Sequence, residues 1–424
     1  MTAANLLRDL RDFQWEGCAT VEGTTRVEVD VRRAVEVPTF TNEFWTAKQR
    51  DAHSLHEISY RACFKPQLPR FFIERLTVPG DVVYDPFSGR GTTPLESALA
   101  GRVPAACDIN PLSAILLEPR LTPPTWQAVA DRLREMTCRH DGEIPGSGFK
   151  TRSGSEAGPE DLLTFYPPET LREICALRSC LLGHETAGTL DAVDRWIRMV
   201  AINRLTGHSA GFFSVYTLPP NQATTVQAQR KINHARAQTP PRRVVPDLVI
   251  KKTKSLLTDC TEQDRTRLSA AAASARLLTG PADDTPGMPD ASVALVVTSP
   301  PFLNIVNYKM DNWLRCWFCG IDPDKVRLTV PGSLENWRAA MTRVFRELHR
   351  VLKPGGFVAF EVGEVRKGTV RLEETVIPCG LGAGLEPVLV ILNTQEFTKT
   401  ANVWGVSNNR LGTNTNRIVV FQKP

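Results

Sequence analysis

The chain has 424 residues, long for one ordinary domain and enough for two or three. With 42% hydrophobic and 23% charged residues the composition is globular and excludes a disordered chain, and no apolar run approaches the ~18 residues of a membrane span. The net charge of +5, from 51 basic and 46 acidic residues, is mild, so a polyanion would have to be met by a local patch. Met1 to Trp15 mixes Arg8, Asp9, Arg11 and Asp12 among its leucines, unlike a signal peptide, and a cytoplasmic setting is expected. Ten Cys are too sparse for a disulfide scaffold. The Cys316/Cys319 pair lies in a helical pattern beside Trp313 and Trp317, which points to core packing and no metal.

Residues 1–57 form an N-terminal extension. From Asp81 the pattern is strand (Val82–Tyr84), Gly-rich turn, helix through Leu95, Ala98 and Leu99, and a second strand from Val103 to Cys107 ending at Asp108. Such a βαβ opening implies a parallel sheet covered by helices. Residues 141–160 hold five Gly, two Pro and three Ser and read as a linker or loop. Two helical patterns follow, around Leu171, Ile174 and Leu177 and around Val193, Trp196, Ile197 and Val200. The stretch from Gly207 to Leu257 is neither cleanly helical nor cleanly β. Between Val226 and Lys254 it carries Arg230, Lys231, Arg236, Arg242, Arg243, Lys251, Lys252 and Lys254 against one acid, Asp247. That is either a solvated basic face or a nucleic-acid contact, with Asn, Gln, His and Thr interleaved. A second α/β pattern begins near Arg276: a strand at Val293–Val297, a helix at Leu334–Leu352 and a stop at Lys353-Pro354-Gly355-Gly356. Strands at Phe357–Val362 and Arg417–Gln422 complete it. Pro378-Cys379 reads as a loop.

Two motifs carry chemistry. In Asp85-Pro86-Phe87-Ser88-Gly89-Arg90-Gly91-Thr92-Thr93 a strand-end carboxylate precedes a Gly-x-Gly turn into a helix. The glycines permit close approach to the backbone, and the helix start offers free N–H groups. Asp108, 19 residues after Gly89, ends the next strand, where a carboxylate can hold ribose hydroxyls. Pro94 replaces the third Gly of a dinucleotide fingerprint, so a nucleoside without a pyrophosphate fits better. In Ser299-Pro300-Pro301-Phe302 the two prolines hold an extended backbone with no N–H. A hydroxyl beside a carbonyl makes two adjacent acceptors for a planar NH₂ group, and Phe302 offers a stacking face.

Together the motifs resemble the S-adenosylmethionine-dependent DNA methyltransferases that modify exocyclic amines. The resemblance covers about residues 58–120 and 276–424. Asp85 to Thr93, with Pro86, Phe87, Gly89, Gly91 and Thr92, is similar to the family's cofactor loop. Asp108 is similar to its ribose-binding acid, Thr298 to Phe302 to its catalytic loop, and Lys353 to Gly356 to the turn before its fifth strand. Phe64-Lys65-Pro66 resembles the segment that closes over the cofactor's methionine part. The acid that holds the adenine amine is displaced, leaving Asp283 as its candidate, and Phe302 stands where Tyr is common.

The resemblance implies an α/β fold: a Rossmann-like class I methyltransferase sheet with helices on both faces, interrupted by a largely helical or irregular insert. Residues 58–120 would form the cofactor half, 121–275 a target-recognition insert and 276–424 the catalytic half. It also implies S-adenosyl-L-methionine as cofactor and double-stranded DNA as partner, with room for a restriction endonuclease acting on the same site. Ser299 in place of the Asp or Asn of adenine-N6 enzymes points to cytosine N4. Adenine N6, an RNA base amine and a non-catalytic nucleic-acid binder are the alternatives.

Overall fold

The computed structural model describes residues 2–30, 33–46, 52–61, 63–137, 149–150, 156–218, 223–301, 311–326, 333–362, 364–365, 370–394 and 415–424. Runs of β-branched and aromatic residues build one nine-stranded sheet. Its strands are β1 (Val21–Asp30), β2 (Arg33–Asn42), β3 (Val82–Asp85), β4 (Val103–Asp108), β5 (Arg276–Thr279), β6 (Val293–Thr298), β7 (Leu352–Val362), β8 (Glu386–Thr394) and β9 (Thr415–Gln422). Their spatial order is β1-β2-β8-β9-β7-β6-β3-β4-β5. β5, β4, β3, β6 and β7 run parallel, and β9 lies antiparallel between β7 and β8. Five parallel strands beside an antiparallel pair make the kind of sheet that the resemblance leads one to expect, extended at one edge by β2, parallel to β8, and β1, antiparallel to β2. The order reverses between β3 and β6. A ligand of an open α/β sheet binds at such a switch point, outside the strand C-termini.

The helices are α1 (Ala3–Asp12), α2 (Gln67–Leu76), α3 (Thr92–Leu99), α4 (Leu112–Leu121), α5 (Trp126–Thr137), α6 (Pro168–Thr186), α7 (Ala192–Ile202), α8 (Val226–Ala235), α9 (Val245–Leu256), α10 (Glu262–Ser274), α11 (Trp313–Phe318), α12 (Leu334–Val351) and α13 (Leu372–Gly382). Alternate strand residues face opposite layers, as a period of two requires. Val83, Leu295, Val297, Ala359 and Ile418 pack in one cluster with Leu6, Leu10, Phe71 and Phe72 of α1 and α2. Tyr84, Val296, Phe360 and Val419 pack on the other face with Trp337 and Phe345 of α12 and Val376 of α13. A third cluster joins α3 and α4 to α5, α6, α7, α9, α10 and α11, so the intervening helices share one core with the helices that follow β3 and β4. Cys316 and Cys319 belong to it, and burial raises their thiols to about 11 and about 12. No helix among the described residues is long and apolar enough to cross a membrane.

Three local expectations change. The stretch from Gly207 to Leu257 contains two regular helices, α8 and α9. Pro240 and Pro241 fall between them, and Pro246 sits in the first turn of α9, where a missing N–H costs nothing. Lys353 to Gly356 is not a free turn. The strand begins at Leu352 and carries these residues as an irregularity, where the pairing shifts from Val293↔Leu352 to Leu295↔Phe357. Gly355 is left-handed there (φ +77°), and a Cβ at Gly356 would lie 2.9 Å from Lys353 O. Pro378-Cys379 is inside α13, not a loop. Gly380 lets that helix close onto the Phe421 ring, and burial of Val376, Ile377 and Cys379 outweighs the local proline cost.

Candidate active site

β3 and β6 are neighbours, so the turns after them emerge side by side. Asp85 ends β3 and is buried. Its Oδ1 accepts from Thr298 Oγ1 at 2.6 Å and from the Phe87 N–H at 3.1 Å. Thr93 Oγ1 donates to Val297 O at 3.0 Å. These bonds fasten the Gly-rich turn to the strand that leads into Ser299, across more than 200 residues of sequence.

Burial pushes the Asp85 carboxyl up to about 7, against the opposing hydrogen bonds from Thr298, Phe87 and Thr93. The neutral acid is therefore favoured by folding. Its contribution is fully present below its ordinary value of 3.8 and is lost as pH rises through about 7. Asp85→Asn keeps a carbonyl oxygen for Thr298 and Phe87 and cannot ionise. Melting temperatures measured from pH 5 to pH 8 should therefore diverge in the variant's favour. A constant difference across that range would remove Asp85 ionisation from this picture.

The turn itself needs its glycines for two reasons. Gly89 (φ +54°) and Gly91 (φ +78°) are both left-handed. The Gly89 N–H donates to Asp108 Oδ2 at 2.7 Å. A Cβ at Gly91 would come within 2.8 Å of Leu117 Cδ1, so Gly91 serves the packing of α4 against the turn. Asp108, partly exposed at the end of β4, also accepts from the Asn110 N–H at 2.8 Å. Burial raises its carboxyl to about 6, opposed by those two backbone bonds. Two accepted bonds leave lone pairs for further donors. Ser88 Oγ is buried without a partner among the described residues. A spare carboxylate acceptor at the end of β4 and an unsatisfied hydroxyl in the turn bonded to it fit a ligand rich in hydroxyl and amine groups, as the nucleoside part of S-adenosylmethionine is.

The segment before α2 is bound into the site by cations that a reading of motifs passes over. Arg90 is buried and donates to Ile58 O (2.9 Å), His56 O (3.3 Å) and Phe64 O (3.4 Å). Arg120, also buried, donates to Leu116 O (2.8 Å), Leu55 O (3.3 Å) and Arg90 O. Lys65 is half-buried beside them, and burial and then the Arg90 charge lower its pKa. On the far side Arg315 donates to Ser59 O (2.9 Å) and Arg61 pairs with Asp311 (2.7 Å). Residues 55–61 and 63–65 are thus clamped between the Gly-rich turn and the chain that follows the Pro-Pro loop.

Ser299 is partly buried and Pro300 buried, and Trp337 Nε1 of α12 holds Pro301 O at 3.0 Å. Phe302 lies outside the described residues. Asp283 gives its carboxylate to Arg343 of α12 at 2.8 Å. Among the eight basic residues, Arg230 pairs with Asp161 (2.7 Å) and Arg242 with Glu173. Arg236 lies 3.8 Å from the Tyr216 ring centroid and Lys254 3.9 Å from that of Trp126. The Arg243 N–H donates to Thr170 (2.8 Å), and Lys252, facing Glu57 at 3.3 Å, has its pKa lowered by burial. Lys231 and Lys251 are exposed. The N-terminal end of this region abuts the chain after the Pro-Pro loop, through Ala223 N–H to Asp311 O (3.0 Å) and Trp313 Nε1 to Thr224 O (3.1 Å).

Comparison with known proteins gives four findings. Residues 24–114 match the N6_N4_Mtase family model, described as DNA methylase. Over 74 residues, 18% of this chain and 14% of the relative, the sequence is 32% identical to the Type II methyltransferase M.MjaII of Methanocaldococcus jannaschii. A Thermus thermophilus protein described as a DNA modification methylase, solved with S-adenosyl-L-methionine, is 25% identical over 32% of this chain and 49% of its own, with a TM-score of 0.19. The rRNA methyltransferase aviRa of Streptomyces viridochromogenes covers 90% of this chain and 91% of its own at 10% identity and a TM-score of 0.30. The chain therefore spans about a seventh of the curated relative and about half of the Thermus protein.

Proposed function

We propose that this chain, of the S-adenosylmethionine-dependent DNA amino-methyltransferase family over residues 24–114, methylates the exocyclic N4 of cytosine in double-stranded DNA. The observation that carries the reading is the Thr298–Asp85 hydrogen bond, reinforced by Thr93 to Val297 O. It supports the reading by tying the strand that leads into Ser299 and Pro300 to a turn whose free donors and acceptors suit a nucleoside. S-adenosyl-L-methionine supplies an electrophilic methyl group on a sulfonium, so the protein need provide neither a covalent nucleophile nor a metal.

Asp108 would accept the ribose hydroxyls, and Ser88 and the start of α3 would meet the remaining polar groups. Ser299 Oγ and the Pro300 carbonyl would accept the two amine protons. That pulls the nitrogen toward tetrahedral geometry and frees the lone pair that conjugation with the ring otherwise holds. Placement and pre-aimed dipoles supply the acceleration. The amine is out of reach within a duplex, so the cytosine must be flipped out of the stack. Ser299, shorter than the Asp or Asn of adenine-N6 enzymes, favours the pyrimidine.

The helices α8 and α9 would track the phosphates. Because Arg242 and Lys252 already face Glu173 and Glu57, the exposed Lys231 and Lys251 are the first candidates for contact with DNA. Replacing both by Gln should weaken binding and reduce the log–log salt slope by about 0.9 for each phosphate that is no longer neutralised. Cofactor affinity should stay put. An unmoved slope would make this a solvated face. Transfer itself is tested by offering labelled S-adenosylmethionine with duplex DNA or with RNA. Label in duplex DNA supports the reading, and label in RNA alone overturns it. A restriction endonuclease with the same recognition sequence would be its natural counterpart.

A further inference from the structure

Glu361 is a carboxyl in an otherwise apolar strand, Phe357-Val358-Ala359-Phe360-Glu361-Val362. The register gives it a place. Thr298, the last residue of β6, pairs with Phe360 of β7, so Ser299 and Glu361 follow directly after that pair on their two parallel chains. They continue the row of alternate residues that includes Val297 and Ala359. On its other side Glu361 pairs with Ile418 of β9. Asn416, two residues earlier on that strand and so on the same face, donates its side-chain amide to Glu361 Oε1 at 2.5 Å. Glu361 is buried, and burial raises its pKa, opposed by the neighbouring Asn416 amide and Ser299 hydroxyl.

We propose that Glu361 is the positioning residue for Ser299, accepting the Ser299 hydroxyl proton so that the oxygen's lone pairs are left to the target amine. The proposal rests on the reading of Ser299 as an amine acceptor. A serine hydroxyl carries one proton and two lone pairs and rotates to suit its surroundings. With the proton unplaced, Oγ can donate toward the amine, which opposes the change of geometry that transfer needs. A carboxyl fixed by Asn416 removes that freedom before the base arrives. Glu361 touches no reacting atom in this scheme. Its whole effect passes through Ser299.

A double-mutant cycle reads this dependence directly. Single-turnover rates are measured for the parent, Glu361→Ala, Ser299→Ala and the double variant, with melting temperature and S-adenosylmethionine affinity as controls. Glu361→Ala should lower the rate at least tenfold at unchanged cofactor affinity and unchanged KM for DNA. In the Ser299→Ala background the same change should cost less than twofold. Glu361→Gln, which keeps an acceptor oxygen, should lose less than Glu361→Ala. If Glu361→Ala does not fold, Asn416→Ala enters the cycle in its place, with a smaller loss that again vanishes without Ser299. Losses that multiply, or a fully active Glu361→Ala, overturn the positioning role alone. A fully active Ser299→Ala overturns the acceptor reading on which it stands.

Discussion

Ser299→Ala should bind S-adenosylmethionine and DNA nearly as the parent does, and turn over one to several orders of magnitude more slowly. Ser299 directly follows β6, next to the Thr298–Phe360 pair, and is fastened through Thr298 to Asp85. Removing its hydroxyl leaves the cofactor turn and the basic helices untouched. What disappears is an acceptor that matters most as the amine changes geometry, and about 1.4 kcal/mol of lost transition-state stabilisation is a factor of ten in rate. Rapid-quench measurement of methyl transfer, beside calorimetric binding of cofactor and DNA, separates the two quantities. A variant with full activity would remove Ser299 from the chemistry. One that loses cofactor binding in step with activity would make it a structural residue of the turn.

Asp108→Ala should weaken S-adenosylmethionine binding at least tenfold near pH 8. A charge-assisted hydrogen bond contributes about 1.5–3 kcal/mol, and the same change frees the Gly89 N–H from its acceptor at 2.7 Å. The pH dependence adds a signature. The Asp108 carboxyl is raised by burial to about 6, so acidification through that value turns an acceptor into a neutral acid. Parent affinity should fall on going from pH 8 to pH 5, while the Ala variant stays flat and the gap between them narrows. Calorimetric titrations at the two pH values decide it. Equal affinities for parent and variant at pH 8 would end the ribose assignment.

The parts of this site that can be read from sequence are contiguous ones. Asp85 to Thr93 and Ser299 to Phe302 each hold strand end, turn and special residue within a few positions, so spacing alone suggests their chemistry. The apolar runs of β3, β4, β6 and β7 are legible for the same reason. What escapes is fixed by distant pairing. The Thr298–Asp85 bond spans 213 residues, and the Arg90 and Arg120 bonds to backbone carbonyls of residues 55–64 leave no periodic trace. α8 and α9 hide behind their flanking prolines, since a first-turn Pro and a breaking Pro look alike in sequence. β1 and β2 do carry a signal in the alternation around Val27, Val35 and Val37, two of them buried. Glu361 carries another, a lone acid within an apolar strand. Both signals take their meaning only once the neighbouring strand is known, because a side chain's face depends on register.

The identity of the methylated base decides which reaction the site performs. Duplex DNA incubated with the protein and methyl-labelled S-adenosylmethionine is digested to nucleosides, and the labelled base is identified by chromatography and mass. N4-methylcytosine as the labelled base is the expected result. Label in N6-methyladenine would contradict the cytosine assignment while retaining amine transfer, and DNA that stays unlabelled under conditions where the protein binds cofactor would contradict methyl transfer to DNA altogether.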